Sequence, residues 1–154
     1  MMNPKNKGRM FAIIQFVLLG LILVLSYYLK QDYSSNMILY YSGWVIIFIG
    51  LSIGVIAVIS YGQMVTANPY PLKEVQLRTS GIYGLVRHPM YLAALFFVIG
   101  WCILFFSYYA IIFPLFTIIF LMIKIKFEES QLVEKFPEYK AYQNKTSRLF
   151  PLIY

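Results

Sequence analysis

The stretch "YLAALFFVIGWCILFFSYYAIIFPLFTIIFLMI", residues 91–123, contains 33 residues and no charge. As one helix it would run roughly 50 Å, well past a hydrocarbon core of about 30 Å. A helical hairpin fits better, turning near "FSYY" at 106–109, with Pro114 expected to kink the second arm. A hairpin returns the chain to the face it left. Arg87 and His88 precede it and Glu128 and Glu129 follow it, so both pairs are expected at one rim, although forty residues separate His88 from Glu128.

The rest of the chain supports a membrane setting. Of 154 residues, 60% are hydrophobic and only 12% charged, against about 25% charged in an ordinary soluble domain. A soluble core of this size could not bury so much apolar surface. Two further uncharged runs, 11–29 and 37–59, are long enough to cross a bilayer. With arms at about 91–106 and 109–125 they make four expected transmembrane helices in one domain, 1–154. Gly50 and Gly54 form a small-xxx-small pair that reads as helix packing. The segment 61–90 carries Pro69, Pro71 and Gly81 and reads mostly as loop.

Charge placement orients the chain. The formal net charge is +7. Lys5, Lys7 and Arg9 precede the first run, Lys73, Arg78 and Arg87 lie in the central loop, and Lys124, Lys126, Lys135, Lys140, Lys145 and Arg148 follow the last. Only Lys30, offset by Asp32, falls on the other side. The positive-inside rule then makes both termini and the central loop cytoplasmic. The N-terminal run shows no small-residue cleavage site and reads as a retained span.

Past the last arm, Leu132, Val133 and Phe136 repeat at helical spacing among charges. This predicts an amphipathic extension into a cytoplasmic tail, 126–154. Pro137 is expected to open a second short helix on which Tyr139 and Tyr142 share a face. "RLFPLIY" at 148–154 is apolar enough to fold back onto the bundle or the membrane.

The composition also excludes several chemistries. Cys102 is the single cysteine and His88 the single histidine, so an intrachain disulfide and a transition-metal site are not expected. No GxGxxG or P-loop motif occurs, which removes a Rossmann or Walker site. The expected rim holds a guanidinium, an imidazole, adjacent carboxylates and tyrosines beside an apolar wall. That set suits a small zwitterion next to a lipid-facing cavity.

"SGIYGLVRHPMYLA", followed about forty residues later by "EESQLVEKFPEYKAYQNKTSRLFP", resembles the isoprenylcysteine carboxyl methyltransferase family and the related phospholipid methyltransferases. The resemblance covers roughly 77–151 and leaves the first two spans without a specific match. One departure is Ala93, where the family usually has glycine. The resemblance implies an all-α integral membrane methyltransferase without a Rossmann domain, using S-adenosyl-L-methionine at the cytoplasmic face on a lipophilic or prenylated acceptor from the bilayer. It implies cofactor contacts at Tyr83, His88, Pro89, Tyr91, Glu129, Tyr139 and Tyr142. Glu129 is the first choice for the ribose or ammonium and Glu128 the second. Arg87, Glu128, Lys145 and Arg148 are left for the catalytic side. Rival readings are a phospholipid amine or lipidic hydroxyl methyltransferase, a non-catalytic membrane subunit and, last, a nicotinamide-dependent reductase. Each residue also has a plainer role: headgroup anchor, solvated helix face, or interfacial tyrosine.

Overall fold

The computed structural model describes residues 3–30, 36–62, 77–105 and 112–151. The expected turn at 106–109, Pro69, Pro71 and Lys73 of the central loop, Asp32, and the last three residues lie outside them.

Among the described residues five α-helices follow in order: α1 Pro4–Tyr28, α2 Met37–Tyr61, α3 Pro89–Leu104, α4 Ile112–Lys135 and α5 Tyr139–Gln143, with a short 3-10 turn, Gly81–Gly84, ahead of α3. No strand occurs among the described residues, and the protein is an integral membrane protein built of helices. Asn3 caps α1, its Oδ1 accepting from the Lys5 N–H at 3.0 Å, with Pro4 at the first helical position. Helix α1 therefore starts seven residues before the apolar run begins and carries Lys5, Lys7 and Arg9 on its first turns. Asn36 caps α2 in the same way through the Leu39 N–H.

Helices α1 and α2 have 25 residues each, about 37 Å, long enough to cross a bilayer. Helix α3 is apolar but has 16 residues, about 24 Å. Helix α4 is apolar in its first half and continues into the charged segment, as its periodicity predicts. Leu132, Val133 and Phe136 are half-buried. Pro114 is the third described residue of α4. Pro137 does not open α5. It lies in the turn before the helix, and the Tyr139 N–H reaches back to the Phe136 carbonyl at 2.9 Å.

Helices α2 and α3 run antiparallel at close range. A Cβ on Gly100 would sit 2.7 Å from the Gly43 carbonyl oxygen, and one on Gly50 would sit 2.9 Å from the Ala93 oxygen. Only glycine permits this approach. Gly54 is looser, 3.5 Å from the Ala93 Cβ. The tight contacts are thus Gly43, Gly50 and Gly100 rather than the Gly50–Gly54 pair alone. Ala93, the departure from the family pattern, faces α2 here.

Helix α1 packs on α3 and α4 through side chains. Ile22 meets Val98 and Cys102 at one end. At the other, the Phe11 ring meets those of Phe120 and Phe127 at a tilt, with centroids 6.1 and 5.3 Å away. The start of α1, the end of α2, the start of α3 and the end of α4 therefore share one end of the bundle. The residues after α4 close over that end.

Candidate active site

Gly81, with φ +62°, turns the chain into the 3-10 helix; this left-handed conformation favours glycine. The 3-10 turn delivers Tyr83, Val86, Arg87 and His88 to the start of α3, all four buried. Pro89 occupies the first position of α3 and His88 its N-cap. Pro89 has no N–H, and the N–H groups of Tyr91 and Leu92 already bond to the His88 carbonyl at 3.1 Å each. Most donors of this helix start are spent within the protein. Few N–H groups are therefore left there for an anion.

Segments 86–88 and 147–148 form a short parallel pairing. The Arg87 N–H donates to the Ser147 carbonyl at 2.8 Å and the His88 N–H to the Arg148 carbonyl at 3.1 Å. The Arg87 guanidinium reinforces it: Nη1 donates to the Gln143 carbonyl at 2.8 Å and also to the Thr146 carbonyl. The fixed fork of arginine suits such multiple acceptors.

Glu129 sits at the centre of the charges. Its Oε1 accepts from Arg87 Nε at 2.7 Å and lies 3.4 Å from His88 Nε2, and its Oε2 accepts from Arg148 Nε at 3.1 Å. Burial pushes the carboxyl up, but the hydrogen bonds and charges of His88 and Arg87 outweigh it and bring the pKa down to about 2. Both oxygens are taken by protein groups, and the side chain is 5% exposed. Glu128 differs. Its Oε2 accepts from the Tyr91 hydroxyl at 2.7 Å and lies 3.7 Å from His88 Nδ1, yet the side chain is 24% exposed. The rings of His88 and Tyr91 stack in parallel, 5.4 Å apart and 7° from coplanar.

The tyrosines form a second shelf. Tyr142 donates to the Tyr83 carbonyl, and the Tyr139 and Tyr142 rings meet edge to face at 5.5 Å. Burial pushes the Tyr83, Tyr139 and Tyr142 hydroxyls up, Tyr142 to about 12, so all three stay neutral donors at ordinary pH. Tyr83 reaches α2 through a long contact to the Ala57 carbonyl, 3.5 Å.

The structure thus brings together Tyr83, Arg87, His88, Pro89, Tyr91, Glu128, Glu129, Tyr139, Tyr142 and Arg148. Lys145 is the exception: it is exposed, and no contact among the described residues ties its side chain to the carboxylates. Lys124 is the residue that sequence reasoning missed. It counted only as one of the cations beyond the last span, yet it is fully buried, with Nζ donating to Gln15 Oε1 of α1 and lying 4.8 Å over the Tyr91 ring. The available signal was spacing, since Lys124 precedes Glu128 by one helical turn.

One turn into α3 from Tyr91 lies an open apolar groove of about 540 Å³. Gly54, Val58 and Ile59 of α2, Ala93 and Phe97 of α3, and Leu19 of α1 line it. Among the described residues no group of three metal-ligating side chains occurs.

A model of the isoprenylcysteine carboxyl methyltransferase family matches residues 41–134. The match extends the likeness backward over most of α2, which the motifs alone left unassigned. It stops one residue short of the end of α4, so α1 and the segment carrying Tyr139, Tyr142 and Arg148 lie outside it. A search of curated proteins finds no match.

Proposed function

The chain belongs to the isoprenylcysteine carboxyl methyltransferase family, a membrane methyltransferase family, and from that premise we propose that it transfers a methyl group from S-adenosyl-L-methionine to a lipophilic acceptor. The observation that carries this reading is the unequal state of two neighbouring carboxylates. Glu129 is saturated by Arg87, His88 and Arg148, whereas Glu128 keeps exposed surface beside a stacked His88–Tyr91 pair. The residues fit the cofactor: a part-open carboxylate for an ammonium or ribose diol, tyrosine rings for an adenine, and Arg148, 21% exposed in its side chain, for a carboxylate. Glu128 therefore replaces Glu129 as the first choice for contact with the cofactor, and Glu129 becomes the group that holds Arg87, His88 and Arg148 in register.

The cofactor supplies the methyl on a sulfonium, and the protein's part is approach geometry and exclusion of water. A carboxylate acceptor fits best, because it needs no proton removed and the family is named for that reaction. Its tail is assigned to the open apolar groove between α1, α2 and α3. The domain is read as one unit with four spans and both termini cytoplasmic. This rests on the charge asymmetry and on the gathering of Lys7, Arg87, Glu129 and Arg148 at one end.

Equilibrium binding of labelled adenosylmethionine to the detergent-solubilised protein tests the reading. Glu128→Gln should weaken binding about tenfold or more, a loss of one charge-assisted hydrogen bond. No binding to the unaltered protein overturns the proposal. A series of acceptors with carboxylate, amine or hydroxyl heads then identifies the reacting group. Lengthening the tail should lower KM, each buried methylene contributing about 0.8 kcal/mol until the groove is full.

A further inference from the structure

Lys124 stands outside the roles assigned above. A cation with no solvent exposure, in a helix that enters the bilayer, has a high desolvation cost that its partners must offset. Three helices contribute to that offset. Gln15 of α1 accepts from Nζ; the Tyr91 ring of α3 lies 4.8 Å beneath it; Glu128 follows one turn later on α4. Tyr91 is in turn the residue that donates to Glu128 at 2.7 Å and stacks on His88. Its ring thus has three anchors, and the buried ammonium is the one that comes from within the bundle.

We propose that Lys124, held by Gln15, is a positioning residue that fixes the Tyr91 ring so that its hydroxyl meets Glu128, and that α1 thereby serves the site although it lies outside the family-matched segment. The amide oxygen of Gln15 aims the ammonium, and the ammonium holds the ring face by cation–π attraction. An apolar residue at position 15 would remove the acceptor that aims the ammonium at the ring. The site would keep all its residues and lose the orientation of one.

This inference rests on the proposed cofactor reading, and a double-mutant cycle separates the two. Lys124→Met and Tyr91→Phe are made singly and together, and the dissociation constant for labelled adenosylmethionine is measured for each. Each single change should raise it about tenfold, and the double no more than about twentyfold, because both break one chain of contacts. Gln15→Leu should act in the same direction, and Gln15→Glu, which keeps an acceptor, should stay within about threefold of the unaltered protein. Multiplying effects, near a hundredfold in the double, would overturn the proposal and make Lys124 an independent structural cation. If Lys124→Met does not fold, the cycle is run with Gln15→Leu and Tyr91→Phe under the same criterion. If the unaltered protein binds no adenosylmethionine, the cofactor reading falls. The same proteins are then compared by melting temperature in detergent, where non-additive shifts sustain the positioning chain and additive shifts overturn it.

Discussion

Helix α3 is gripped in two ways. Along its length α2 lies against it backbone to backbone, through Gly43, Gly50 and Gly100. At its start the segment 143–148 holds it through hydrogen bonds and ion pairs centred on Arg87 and Glu129. The first grip is dry, and steric fit decides it. The second is polar and fails when one charge is left alone. Breaking each should therefore have a different signature.

The largest effect is expected from Arg87→Ala. It strips Glu129 of its shortest partner in a buried place, which typically costs about 3–5 kcal/mol. Thermal melting in detergent should fall sharply, and Arg87→Lys should recover part of the loss, since it keeps the charge but not the fork that reaches Gln143 and Thr146. Equal melting of the alanine and lysine variants would show that charge is not what the clamp uses. Next, Gly100→Val drives a side chain into the Gly43 carbonyl and should cost about 1–3 kcal/mol by overpacking. Unlike Arg87→Ala, it should destabilise equally at every pH.

Acid should distinguish the two grips without mutation. The Glu129 carboxyl is depressed to about 2 in the folded protein. Its contribution is therefore full above the ordinary glutamate range and is lost as pH falls from about 4.5 toward 2. Melting followed over that window should drop for the unaltered protein and much less for Glu129→Gln; parallel curves would remove Glu129 as the acid-labile group. The smallest effect is expected from Tyr83→Phe. Its 3.5 Å contact to the Ala57 carbonyl is long for a hydrogen bond, so the loss should stay under about 1 kcal/mol. A larger loss would tie the two grips together through α2.

The contrast also governs what the sequence could reveal. Uncharged runs made the helices legible, because lipid demands them, and the 33-residue run foretold the meeting of Arg87 and His88 with Glu128 and Glu129. The Gly50–Gly54 spacing pointed to a packed seam but missed Gly43 and Gly100, which lie on different helices and pair only in three dimensions. The division of labour between Glu128 and Glu129 was not legible. Adjacent residues on a helix point about 100° apart, and which one faces the tail depends on how far α4 runs before the chain turns back. Lys124 was hidden for a related reason: a cation at the end of an apolar run reads as a headgroup contact unless Gln15, on a distant helix, is known to reach it.

The pairing of segment 86–88 with 147–148 has a consequence for biogenesis. Residues 143–148 are synthesised after α1 to α4, yet they complete the surroundings of Arg87, His88 and Glu129. Until they emerge, those charges lack the segment that covers them, and as solvated groups they need no partners. Only when this segment leaves the ribosome and docks would they be desolvated as a paired set. Insertion and maturation of the site are then separate events, and a ribosome stalled before residue 143 would leave an embedded but immature protein.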